Sequence, residues 1–212
     1  MTDTQIKKNR DDFFAIAETY IQRDGLSRLL SYLENQTDFF QAPSSVRFHL
    51  NEKGGLCLHS LNVFETCLRI YKSVLEPQLK AGKANFDEPI SEESIAIVAL
   101  FHDVCKTNMY REVEKWRKDD QNRWVSYPGF DIVDDFPFGH GEKSCIIINH
   151  YLKLTKEELL AIRWHMGAFE AGEQNSSTRK SFYSACETSP LVALIQSADM
   201  LTALCLEETT KY

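Results

Sequence analysis

The sequence predicts an all-α fold, a bundle of helices with one small β-hairpin inserted at about residues 110–128. Three observations carry that expectation. Apolar residues recur at helical spacing in most segments, and capping residues precede several of those runs. A single stretch, "REVEKWRKDDQNRWVSYPGF", instead reads as two short strand-like pieces around the turn signal "DDQN".

The elements follow in order. "DDFFAIAETYIQR" opens with acids and carries an apolar stripe, so it predicts an amphipathic helix, and "GLSRLLSYLENQ" predicts a second. A loop with "QAPSS" leads to Gly54 and Gly55, which break the chain before a long helix over about Leu58 to Leu79. After the loop "GKANFDEP", Ser91 is placed to cap "SEESIAIVALFHDVC", whose apolar residues run almost all round and predict a central helix. The hairpin comes next, then "DIVDDFPFG" as a loop and "HGEKSCIIINHYLK" as a helix. "TKEELLAIRWHMG" has the capping box Thr155-x-x-Glu158 and Gly167 beyond its last turn. "GAFEAGEQNSSTRK" predicts a mobile loop, and "SPLVALIQSADMLTALCLEE" a last helix capped by Ser189 with Pro190 in its first turn.

Bulk properties bound the function. The chain has 212 residues and a net charge of −7. That acidic balance argues against sequence-blind binding to DNA or anionic membranes, but not against a small anionic substrate held by local cations or metals. "MTDTQIKKNRDDFF" lacks the apolar core of a targeting signal, and no run approaches the ~18 apolar residues that span a bilayer. The six cysteines are scattered without a C-x-x-C pair and sit mostly in apolar runs, where buried free thiols are expected. A cytoplasmic location is the expectation.

The chemistry starts from two ionisable groups in apolar helices. Asp199 lies in "LVALIQSADMLTALCL", where a lone buried carboxylate would need a partner or a metal. The competing reading is an exposed stripe of Gln196, Asp199 and Thr202. His102 and Asp103 follow "SIAIVALF", and imidazole beside carboxylate suits a transition metal, Mg²⁺ or Mn²⁺. Alone, the pair reads equally as a helix end with a histidine at its negative pole. His59, just after "GGLCL", precedes the pair on the long helix.

The order His59, then His102-Asp103, then Asp199, on separate helices, resembles the HD-domain superfamily. His140 in "FGHGEKS" and His165 in "AIRWHMG" fit its extended, binuclear form. "GGLCLHSLNV", "LFHDVCK", "FGHGEKS" and "SADML" are similar to the HD domain of a group of bacterial 3′–5′ exoribonucleases. The chain departs from that group in having one histidine in "RWHMG", where two adjacent ones are frequent, and in leaving no room for a separate nucleic-acid-binding domain. The resemblance covers roughly residues 46–206 and implies an HD-domain helical bundle, with residues 1–45 as N-terminal helices packed on that core in a single domain.

The resemblance also implies roles. His59, His102, Asp103 and Asp199 would bind a first divalent metal, and Asp103 would bridge to a second held by His140 and His165. Two metals about 3.5–4 Å apart neutralise phosphate charge and lower the pKa of a shared water. Candidate ions are Fe, Mn, Ni, Co, Zn or Mg, one or two per chain. Asp103 is the candidate catalytic carboxylate. Lys106, one helical turn past His102, is the candidate phosphate contact; a dipole partner in solvent is the alternative.

Lys143, in the first turn after His140, is a second candidate phosphate contact. His49 could reach the site from its loop or lie in solvent. Glu142 reads as a first-turn acid, Arg163 as structural or at the pocket rim, and His150 as a surface residue. Trp116, Trp124 and Trp164 are expected in hairpin and core packing. The acidic "DIVDD" favours a small nucleotide over a polyanion. The implied function is a metal-dependent phosphohydrolase acting on a nucleotide or other small phosphate ester. Alternatives are a di-iron oxygenase on the same scaffold, an exoribonuclease-like nuclease, and a non-catalytic nucleotide sensor.

Overall fold

Thr2 opens the first helix: its hydroxyl accepts from the Gln5 backbone while the Gln5 side chain accepts from the Thr2 backbone. That box starts α1 at Asp3, well before the expected Asp11, and α1 runs to Tyr20. The computed structural model describes residues 1–167 and 176–209. It is mostly helical with one two-stranded antiparallel sheet.

The remaining elements are α2 (Leu26–Asn35), α3 (Gly55–Ile70), α4 (Glu76–Lys80), α5 (Glu92–Phe101), β1 (Tyr110–Lys118), β2 (Trp124–Ile132), α6 (His140–Tyr151), α7 (Lys156–Arg163), α8 (Ser176–Thr188) and α9 (Pro190–Leu201). A π turn, Tyr71–Leu75, joins α3 to α4 just before Pro77, which has no N–H to continue the ladder.

The central helix is α5. Ser91 accepts from the Ser94 backbone at its start, and every residue from Ile95 to Phe101 is buried. It packs against α1, α3, α7 and α9. It ends four residues before the expected Cys105: His102 is the C-cap, and a 3₁₀ turn, Val104–Lys106, follows.

Arg23, just past α1, ties this frame together. It donates to Glu158 Oε2 at 2.6 Å and Glu93 Oε2 at 3.0 Å. Glu158 is fully buried and also accepts from Ser94 Oγ and the Thr155 backbone, completing the predicted capping box of α7. A buried carboxylate with this many donors fixes the starts of α5 and α7 relative to α1.

The hairpin is longer than expected. Tyr110 pairs with Ile132 and Lys118 with Trp124, so Asp131 and Ile132 belong to a strand and not to the loop. Asp119 closes the turn by accepting from the Gln121 and Arg123 backbones, with Asn122 at φ +63°. Two further expectations are corrected. Residues 176–180 of the predicted mobile loop begin α8, a helix masked in the sequence by its polar opening; residues 168–175 lie outside the described part. α7 ends at Arg163, so His165 sits on a turn beyond it, while Gly167 (φ +62°) lies past the helix as expected.

All six cysteines are free; Cys57, Cys67 and Cys105 are buried, whereas Cys205 is exposed. Among the described residues no single helix is long and apolar enough to cross a membrane.

Candidate metal centre

Five of the chain's six histidines gather at one place, which leaves His150 alone on the surface. The positions follow from helix ends. His59 is in the second turn of α3, whose start is pressed against the loop 44–51: a Cβ on Gly55 would lie 2.1 Å from the Leu50 carbonyl oxygen. Gly54 supplies the left-handed N-cap at φ +78°. The same loop brings the His49 ring to 4.7 Å from the His59 ring, centroid to centroid. His102 caps α5, and Asp103 follows outside helical geometry at φ −104°, ψ 15°.

His140 is the first residue of α6, and Gly141 lets that helix end approach α7. A Cβ on Gly141 would lie 2.4 Å from the Arg163 carbonyl oxygen. The close approach puts the His140 and His165 rings 5.4 Å apart. Asp199 comes from the last turn of α9, and its side chain is 13% exposed, so the expected alternative of a solvent stripe does not hold.

All six predicted ligands therefore converge. Ligand atoms of His59, His102 and Asp103 lie within 4.8 Å of one another, as do those of His102, His165 and Asp199, and those of Asp103, His140 and His165. Asp103 is the hub. Its Oδ1 is 2.9 Å from His140 Nε2 and 3.4 Å from His165 Nε2, and its Oδ2 is 3.7 Å from His59 Nε2 and 3.4 Å from His102 Nε2. Asp199 Oδ1 is 3.1 Å from His59 Nε2.

The outward nitrogens are tied off. His102 Nδ1 donates to the Ala99 carbonyl at 2.9 Å and His165 Nδ1 to the Ile162 carbonyl at 2.7 Å. A carbonyl only accepts, so each ring carries its proton on Nδ1 and turns a lone pair on Nε2 inward. His59 Nδ1 donates to Glu207 Oε2 at 2.9 Å, and Asn62 Nδ2 donates to Glu207 Oε1 at 2.8 Å. Such outer partners orient metal-binding imidazoles and raise their basicity.

Buried lone pairs facing carboxylates need a cation. His102 Nε2 and His59 Nε2 are 3.3 Å apart. His165 Nε2 is buried 3.4 Å from Asp103 Oδ1 and has no hydrogen-bond partner. The donor set of four imidazoles and two carboxylates, all but His140 enclosed, fits a divalent metal, and the cluster can hold one.

Protons show the same demand. Burial opposes charge on His59, yet its hydrogen bonds to Asp199 and Glu207 win and raise its pKa to about 10. Burial lowers the pKa of His102. Burial also opposes ionisation of Asp103, but Lys106 and His102 hold its carboxyl well below the usual range. His49 is driven down to about 4 by burial and by repulsion from His59 and Lys106, so it stays neutral. Its Nε2 is buried without a partner.

Lys106 reaches the cluster by a route other than the one expected. The helix stops at Phe101, and the 3₁₀ turn folds Lys106 back so that Nζ donates to Asp103 Oδ2 at 2.6 Å. Tyr110, at the root of the hairpin, adjoins this lysine. Lys143, in the first turn after His140, pairs its ammonium with Asp134 Oδ1 at 2.6 Å and lies over the Phe136 ring. Glu142 pairs with Arg163, which stacks on Trp164. Trp164 is buried as expected, but Trp116 and Trp124 are exposed on the hairpin and pack in no core.

Sequence reasoning did not find Glu207 or Asn62. Nothing in "CLEE" separates a ligand-orienting acid from a solvated one; a second π turn, Thr202–Leu206, sets the register that aims Glu207 at His59. Compared with models of known protein families, with curated proteins and with solved structures, the chain matches none.

Proposed function

We propose that this chain is a metal-dependent phosphohydrolase of the HD-domain type, acting on a nucleotide or other small phosphate ester. The observation that carries the reading is the convergence of His59, His102, Asp103, His140, His165 and Asp199 beside the ammonium of Lys106. His59, His102, Asp103 and Asp199 would hold a first metal; Asp103, His140 and His165 would hold a second. A bound divalent metal supplies Lewis acidity toward water and phosphoryl oxygen.

The chain's own residues do the rest. Asp103 joins both halves of the donor set, and a carboxylate there orients the attacking water. Lys106 provides a fixed positive charge at the cluster edge, where charge on the phosphoryl oxygens develops. Neutral His49, with its free Nε2, is placed to donate to or accept from a bound phosphate.

The same donors suit iron, so an oxygenase is the competing chemistry. Lys106 favours hydrolysis, because an ammonium beside the metals serves a phosphate. A nucleotide panel assayed for phosphate release with redox-inert metals tests the reading. Hydrolysis is expected from the native chain and from none of the His102→Ala or Asp103→Ala variants, with circular dichroism unchanged. Full activity in either folded variant contradicts it. Iron-dependent oxygen consumption without phosphate release would establish the oxygenase instead.

A further inference from the structure

The hairpin contributes no ligand to the cluster, yet one of its faces is charged in a way the fold does not require. Antiparallel register sets Arg111, Lys115 and Arg117 of β1 opposite Asp131, Tyr127 and Val125 of β2. Alternation places these on a single face with Val113 and Gly129. The other face of β1 carries Glu112, Glu114 and Lys118 instead.

Against the cationic face, the loop 44–51 closes a pocket of about 270 Å³ lined by Val46, Arg47, Asn51, Lys115, Arg117 and Tyr127. Gly129 also borders it and makes room for the lysine: a Cβ there would lie 2.9 Å from Lys115 Cδ. Lys53, two residues past the loop, pairs with Glu112 of β1 at 2.9 Å.

Among the described residues the charge in this pocket is only partly neutralised. Lys115 has Asp131 at 3.2 Å. Arg47 and Arg117 form no salt bridge among the described residues; Asp119, the acid nearest in sequence to Arg117, feels its charge but pairs with Arg123 at 2.8 Å. Two guanidinium groups that form no salt bridge among the described residues, in one pocket of a chain with net charge −7, are a local reversal of the surface. Guanidinium forks match the oxygens of a phosphate, and Tyr127 and Asn51 add polar groups beside them. The volume falls below the ~300–1,000 Å³ of sites that enclose a drug-sized ligand, so an anionic group fits better than a whole nucleoside.

The loop ties this pocket to the cluster. His49 lies two residues from both Arg47 and Asn51, a chain distance of at most about 7 Å, and its ring rests on His59. We infer that the pocket between the hairpin and the loop 44–51 is a phosphate subsite, holding a second phosphoryl group of the substrate whose first is at the metals. The word substrate rests on the phosphohydrolase reading; the anion site itself rests on the pocket.

The full chain is titrated with inorganic phosphate and pyrophosphate at fixed ionic strength by calorimetry, metal-loaded and after chelation. Pyrophosphate is expected to bind the chelated protein, away from any metal. The Arg47→Ala/Arg117→Ala variant should bind at least about tenfold more weakly at an unchanged melting temperature. No binding to the chelated protein, or equal binding by the variant, overturns the inference. A second arm compares KM for nucleoside bisphosphates and monophosphates. A preference for the bisphosphate that falls about tenfold in the variant identifies the second phosphate as the occupant. An unmoved preference with weakened pyrophosphate binding supports the site and identifies free phosphate as its occupant. If no nucleotide is hydrolysed while pyrophosphate binding follows the two arginines, the anion site stands and only the phosphohydrolase reading fails.

Discussion

His59 divides its ring between two partners, Glu207 on Nδ1 and the cluster on Nε2. Glu207→Gln keeps the size but weakens that hold on the ring. Loss of such an outer partner typically costs about 10–100-fold in metal affinity, and that drop is expected in competition titrations with a chelating dye. Unchanged affinity would remove Glu207 from the site. The proton on His59 gives a second test. Its pKa in the metal-free fold, about 10, is above its ordinary 6.5. A raised pKa stabilises the metal-free fold fully below pH 6.5, and that contribution fades as pH rises toward 10. A metal must displace this proton, so apparent affinity should fall on the order of tenfold per unit of pH lowered across neutrality. A flat profile would contradict it. At this scale Asp199 and the His102-Asp103 pair were legible because ionisable groups in apolar helices need a partner, whereas His59, His140 and His165 were added only by the resemblance to the HD-domain superfamily. Glu207 was not legible, since an exposed and a ligand-orienting glutamate look alike in sequence.

At the scale of elements, the site is built from ends. His102 caps α5, His140 begins α6, His165 follows α7 on a turn, and Asp199 closes α9. Gly141→Ala tests how tightly two of these ends are held. Its Cβ would strike the backbone of Arg163, so α6 must move off α7 and carry His140 from His165. Overpacking of this kind costs roughly 1–3 kcal/mol. If two metals bind as proposed, the variant should lose the one at His140 and His165 before the one at His59 and Asp199, read as a second, weaker step in metal titration. Two unchanged steps would contradict the placement. Apolar periodicity and caps made α2, α5, α6, α7 and α9 readable. The early start of α1 was missed because its first turns carry almost no apolar stripe, and α8 because Ser, Thr, Arg and Lys open it. Lys106 was assigned to the right neighbourhood by the wrong geometry, since periodicity cannot see where a helix turns into a 3₁₀ turn.

For the whole molecule, an apolar bundle surrounds a polar centre, and the hairpin with the loop 44–51 forms a cationic pocket. The bundle class was readable from patterning, and the hairpin from its turn chemistry. The pocket was not, because Arg47 and Arg117 are far apart in sequence and line one pocket only where the loop 44–51 lies against the hairpin. The central claim is that the polar centre is a metal site, and it is tested most directly by metal content. The chain, purified without chelator, is analysed by mass spectrometry for bound metal per chain, beside a His102→Ala/Asp103→Ala variant of matched circular dichroism. The account predicts at least one divalent transition-metal ion per native chain and its loss in the variant. A native chain that takes up no divalent metal, or a variant that holds as much as the native chain, would contradict it.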